Sequence, residues 1–80
     1  MPFIILKDVL LGYLADKLSA RSSELIVNGA PFSPDIVEQT LAELEQEDLV
    51  RRSHDSVLQE DVFFPTTKGI LLGRKHASAY

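Results

Sequence analysis

The 80-residue chain contains no cysteine. It therefore has neither a disulfide framework nor a thiolate metal site, an absence that fits a reducing cytosol. It has no apolar run long enough to span a bilayer, because Lys7 and Asp8 interrupt the opening MPFIILKDVLLGYL. That stretch also lacks the basic leader and small-residue cleavage site of a secretory signal. It reads as a core helix of a soluble, cytoplasmic protein. Repeats and low-complexity segments are missing, and the length allows one domain over 1–80. No overall basic balance is present either, since 8 Lys and Arg stand against 12 Asp and Glu for a net charge of -4.

The residue pattern of an enzyme is absent as well. No His-Glu-x-x-His spacing occurs, and Thr66-Thr67-Lys68-Gly69 lacks the preceding glycines of a phosphate loop. His54 has only Glu60 and Asp61 as convergent partners across a hairpin, so it reads as a surface imidazole, as does His76. The expectation is a non-enzyme with no cofactor and no metal.

What is present is hydrophobic periodicity. Leu6, Leu10, Tyr13, Leu14 and Leu18, widened by Val9, predict a helix over 5–19. Gly12 inside it costs about 1 kcal/mol against alanine, which suggests close approach of a neighbour. Ser22-Ser23-Glu24 offers a cap for a second helix of two turns at most, ended by Asn28-Gly29. Ser33 is a good N-cap, with Pro34 at the first helical position and Asp35 in the first turn. The third helix runs over 34–48 with the stripe Ile36, Val37, Leu41 and Leu44, Thr40 alongside, and Asp48 in the left-handed C-terminal position.

Residues 49–54 read as a strand, 62–64 as a second, and Asp55-Ser56 as the turn between them. Pro65 ends the second strand. Thr66 or Thr67 caps a last short helix over Ile70, Leu71 and Leu72 that closes on Arg74-Lys75-His76, followed by a frayed tail over 77–80. Gly69-x-x-x-Gly73 has the spacing of local close packing. Phe63, Phe64 and Tyr13 are candidate core aromatics, with room for one exposed aromatic on the hairpin.

Helix, short helix, longer helix, two-stranded hairpin, last helix is the order of a winged helix-turn-helix domain. SPDIVEQTLAELEQEDLVRR resembles the recognition helix and wing entry of MarR- and PadR-like regulators: a polar cap, a Leu-x-x-Leu pair, closing acids and a Leu-Val-x-Arg strand. FFPTTKGILLGR resembles their wing exit, in Phe64, Thr66, Gly69 and the apolar helix after it. The resemblance covers roughly 6–74 and departs at Asp48, where the family usually has glycine. It implies an α+β, mostly α, winged-helix fold of three helices, a two-stranded wing and a short C-terminal helix. It further implies a small DNA-binding transcriptional regulator, dimeric in keeping with paired half-sites.

Charge complicates that reading. Residues 1–48 carry three bases against nine acids, net -6, whereas 49–80 carry five bases against three acids, net +2. In the resemblance the third helix enters the major groove by its N-terminal residues, with Ser33, Asp35, Glu38, Gln39 and Ala42 as exposed candidates. Gln39 suits adenine and Glu38 a cytosine amino group. Yet 33–48 holds six acids and no base, and phosphate attraction supplies much of DNA affinity. Arg51 and Arg52 either contact phosphate from the wing or pair with Glu45, Glu47 or Asp48. Lys68 joins the candidate DNA contacts. Two partners remain open: double-stranded DNA, or a basic protein docking on the acidic face of 34–48. A homodimer would use the first and last helices, with Leu11, Leu71 and Leu72 as candidate apolar contacts.

Overall fold

Helix boundaries in this protein have local causes, visible in a computed structural model that describes residues 6–78, with side chains through Lys75. The elements are α1 (Leu6–Lys17), β1 (Ala20–Arg21), α2 (Ser22–Asn28), α3 (Pro34–Gln46), β2 (Val50–Asp55), β3 (Glu60–Pro65) and α4 (Thr67–Ser78). The expected helix start at Ile5, the end of the expected tail at Ala79 and Tyr80, and the side chain of His76 lie outside the described residues.

Ser33 caps α3, its hydroxyl accepting the Ile36 N–H at 3.4 Å. At the other end Asp48 is left-handed, with φ 60°. The Leu49 N–H returns 3.0 Å to the Leu44 carbonyl and the Asp48 N–H 3.1 Å to that of Glu45. This is the two-bond closure that normally uses glycine. Thr66 begins α4: its Oγ1 accepts the Gly69 N–H at 3.0 Å and donates to the Asp48 carbonyl at 2.7 Å. The α1 terminus was not anticipated. Leu18 adopts φ 70° and donates 2.7 Å to the Leu14 carbonyl, a conformation that costs a β-carbon-bearing residue roughly 1–2 kcal/mol.

The sheet is antiparallel in the order β1-β3-β2. Ala20 and Arg21 pair with Phe63 and Val62, so the expected two-stranded hairpin has a third strand. β2 and β3 match residue for residue from Val50↔Pro65 to Asp55↔Glu60, leaving β2 as an edge. The turn is held by Asp55, whose carboxylate accepts the Val57 and Leu58 N–H groups at 2.9 and 3.0 Å, and Gln59 has φ 58°.

One core joins all layers: Leu10 and Leu14 of α1, Leu25 of α2, Val37, Leu41 and Leu44 of α3, Val50 of β2 and Phe63 of β3. Burying each such side chain is worth about 1.5–3 kcal/mol relative to exposure. Three expectations need correction, at Ile36, Leu11 and Gly12, and Phe64 is the one exposed hairpin aromatic for which the sequence leaves room. Ile36 is 45 % exposed, because position 36 lies off the Val37–Leu41–Leu44 line that faces α1 and α2. Phe64 points away from the core and is 41 % exposed, since the strand alternates and Phe63 takes the inner side. Leu11 is buried beneath α4, not free for a partner. Gly12 has no neighbour within 4 Å of a β-carbon position, so no close packing required it.

The glycines of α4 behave as their spacing suggested. A β-carbon at Gly69 would lie 2.0 Å from the Leu49 carbonyl oxygen, and one at Gly73 would lie 2.7 Å from the Ala15 β-carbon. These two positions let α4 lie directly on α1 and on the start of β2. α4 continues through Ser78, beyond the expected end near His76. Among the described residues no helix is long and apolar enough to cross a membrane.

Paired substitutions test this packing. Gly69→Ala is expected to cost more than the roughly 1–3 kcal/mol of ordinary overpacking, because the obstacle is backbone. Gly12→Ala should stabilise by up to about 1 kcal/mol through helix propensity alone. Thermal melts of both variants should therefore move in opposite directions from wild type.

Candidate nucleic-acid interface

One face of α3 makes no contact with the core. Asp35, Glu38, Gln39, Ala42, Glu43 and Gln46 recur at three- and four-residue spacing and are all exposed, while Val37, Leu41 and Leu44 line the opposite, buried side. Ser33 is exposed at the N-terminal end of this face. Ser33, Glu38 and Gln39 thus fall on one accessible surface within the first two turns.

The acids of α3 divide by position. Toward its C-terminal end each has a cation: Glu45 pairs with Arg52 at 2.9 Å, Glu47 with Lys7, and Asp48 with Arg51 at 3.9 Å. Among the described residues, no cation lies within ion-pair distance of Asp35, Glu38 or Glu43, which share the outward face. Asp35 gains from the helix dipole in the first turn. The exposed face nonetheless presents uncompensated negative charge to whatever approaches it.

Arg51 and Arg52 have different surroundings. Arg52 donates through Nε to Glu45 at 2.9 Å and through Nη1 to Asp61 at 3.1 Å. Its guanidinium carbon lies 4.9 Å from the centre of the Phe63 ring. Arg51 has a single long contact to Asp48, and its side chain is 76 % exposed. Lys68 is placed elsewhere. Its Nζ lies 3.5 Å from the Glu47 carbonyl, at the far end of α3 from Ser33. A helix of this length separates the two ends by about 20 Å, so Lys68 is not brought together with Ser33, Glu38 and Gln39.

The hairpin beyond Arg52 carries no lysine or arginine before Lys68, and three acids instead: Asp55, Glu60 and Asp61. All three are engaged. Asp55 holds the turn. Glu60 accepts from the Ser23 N–H at 3.1 Å and the Ser22 hydroxyl at 3.3 Å, tying β3 to the start of α2. These bonds, led by the Ser23 backbone N–H, hold its carboxyl below the ordinary value. Asp61 is lowered chiefly by its 3.1 Å hydrogen bond to His54 Nδ1, with Arg52 adding attraction. Tyr13 links α1 to α2 by donating to Glu24 at 2.9 Å, a bond that raises its phenol pKa. The apolar tip residue Val57 is 89 % exposed. No cluster of three or more potential metal ligands occurs among the described residues.

Of the acids expected to pair with the arginines, Glu45 and Asp48 do so and Glu47 pairs with Lys7 instead, whereas sequence reasoning missed Asp61, Phe63 and the Glu60–Ser23 link. Glu60 and Ser23 are 37 residues apart, and only the pairing of β1 with β3 brings them together. The β2–β3 register, once known, would have placed Arg52 beside Phe63.

No family model matches the chain, and no curated protein matches it. Solved structures do. F-93 of SSV1 superposes with a TM-score of 0.83 at 23% identity, over 99% of this chain and 89% of that one. ZitR of Lactococcus lactis, a zinc-responsive MarR family member, gives 0.81 at 19% identity over 98% of this chain and 54% of its own. BpsR of Bordetella bronchiseptica, whose DNA binding is regulated by 6-hydroxynicotinic acid, gives 0.80 at 18% identity over 98% and 61%. The shared property is the winged helix-turn-helix fold, and the chain spans little more than half the length of these two bacterial proteins.

The lowered carboxyls of Glu60 and Asp61 define an acid dependence. Because the folded values lie below the unfolded ones, their contribution is present above the ordinary carboxylate range, about pH 4, and is lost as pH falls through the folded values. Melting temperature should therefore fall on acidification below that range. Glu60→Gln should lower stability at neutral pH and shrink the further loss at low pH, as read by circular dichroism melts across the two conditions.

Proposed function

We propose that this chain is a cytoplasmic, double-stranded-DNA-binding module of a transcriptional regulator. The observation that carries the reading is a winged-helix fold in which the entire outward face of α3 is free of core packing, with a hairpin beside it. In this fold class the N-terminal residues of such a helix enter the major groove. Gln39 is suited to bidentate bonding with adenine, and Glu38 to accepting from the amino group of cytosine. Ser33 is exposed at the N-terminal end of this face. Its oxygen accepts the cap bond through one lone pair, and its O–H can still donate to a phosphate.

Affinity is the weaker part of this design. Asp35, Glu38 and Glu43 repel phosphate, so attraction has to come from outside α3. Arg51, mostly exposed on β2 and in only long contact with Asp48, is the cation assigned to that attraction. Pairing two copies across two half-sites would multiply such limited contacts. Of the apolar residues expected to serve that pairing, Leu71 is 66 % exposed on α4 whereas Leu11 is not available. Light scattering of the concentrated protein should report a dimer.

Binding to duplex DNA should be salt-dependent with a shallow slope, reflecting few phosphate contacts. Arg51→Ala should weaken binding to all sequences and reduce the slope by about one. Glu38→Gln should strengthen non-specific binding and relax any preference for cytosine. Gel-shift titrations at two salt concentrations measure both effects. Absence of binding by wild type to mixed duplexes at low salt would overturn the reading and favour a basic protein docking on the acidic α3 face.

A further inference from the structure

Arg52 is surrounded by the three elements whose mutual angle a DNA-reading winged helix must control. Glu45 comes from the last turns of α3, Asp61 and Phe63 from β3, and Arg52 itself from β2. One edge of the guanidinium meets Glu45 at 2.9 Å, another meets Asp61 at 3.1 Å, and its carbon lies over the Phe63 ring at 4.9 Å. The second oxygen of Asp61 meets His54 Nδ1 at 3.1 Å, carrying the connection outward along the hairpin. We infer that Arg52 is a positioning residue that fixes the wing against the end of α3, and is not itself a phosphate contact. This inference rests on the DNA-binding reading above.

Charge and shape both argue for it. With Glu45 and Asp61 at hydrogen-bond distance, the three groups together carry net negative charge, so the cluster offers no attraction to phosphate. A phosphate that reached the remaining Nη2 donors of Arg52 would do so beside two carboxylates already in place, which repel it. The side chain is 38 % exposed, half the figure for Arg51, whose only carboxylate neighbour among the described residues is 3.9 Å away. Adjacent residues of one strand thus take different tasks: Arg51 faces solvent, and Arg52 spans from helix to wing. The task also requires arginine. A planar fork reaches two carboxylates on different sides while lying over a ring, whereas lysine presents a single point charge.

The distinction has tests of opposite sign. In the full chain, Arg52→Lys keeps the charge but loses the fork. If Arg52 positions the wing, Arg52→Lys and Arg52→Gln should weaken DNA binding to a similar extent, by roughly fivefold for one partly exposed ion-pair cluster. If it contacts phosphate, lysine should restore binding and its salt slope. Glu45→Gln separates the readings further. It removes a negative charge yet should weaken binding, because it opens one side of the bridge. Stronger binding by Glu45→Gln, or rescue by lysine, overturns the inference.

Hydrogen exchange of the free protein supplies a readout without DNA. Amides of 53–61 should exchange several-fold faster in Arg52→Lys, Arg52→Gln and Glu45→Gln, with those of α1 unchanged. Unchanged exchange in the hairpin also overturns the inference. If wild type binds no duplex, the DNA reading falls and any role of Arg52 in binding falls with it. The exchange arm then still decides whether Arg52 holds the wing.

Discussion

Everything downstream of α3 depends on the corner at Asp48 and Leu49. The left-handed Asp48 stops the helix and turns the chain into β2. The carbonyls exposed by that turn are taken up at once: that of Asp48 by the Thr66 hydroxyl at 2.7 Å, and that of Leu49 by the Thr66 N–H at 3.0 Å. Gly69 then passes close enough to Leu49 that no side chain fits between them. A single corner therefore joins the end of α3, the base of the hairpin and the start of α4. Its polar groups are satisfied within the corner itself, which is what allows it to be partly buried. The direction in which α3 presents its outer face follows from this joint.

Charge is arranged around the same joint. The acids at the end of α3 oppose the helix dipole, and each has a cation from outside the helix: Lys7 from α1, Arg51 and Arg52 from β2. These pairs are largely exposed and individually weak. Their effect is one of location: the paired acids tie the end of α3 to α1 and β2, and Asp35, Glu38 and Glu43 remain uncompensated on its outward face. A net charge of -4 for the chain thus conceals two surfaces with different roles.

Much of this was legible from local signals. Ser33 and Pro34 announced the start of α3, Asp48 its end, and Gly69 and Gly73 a close helix contact, because each acts within a few residues or through the absence of a side chain. Misreadings arose where long-range contacts decide. β1 is two residues long and exists only by pairing with β3. Ile36 fits the apolar periodicity of α3 but lies at its rim, and Leu11 looks surplus until α4 covers it. At the candidate site, exposure of Glu38 and Gln39 followed from helical periodicity. The contrast between Arg51 and Arg52 did not, since it depends on Asp61 and Phe63 arriving from the next strand.

The strand order β1-β3-β2 leaves one long flank of the sheet unpaired along β2. Such a flank is a template on which another chain's strand can add, the first step of aggregation. Here that flank bears Arg51, Arg52, His54 and Asp55 in a run of six residues, with no apolar side chain after Val50. A strand adding there would have to strip water from these charged side chains. The opposite flank, β1, is too short to template anything. The charged residues of β2 therefore make its flank a poor template for a further strand.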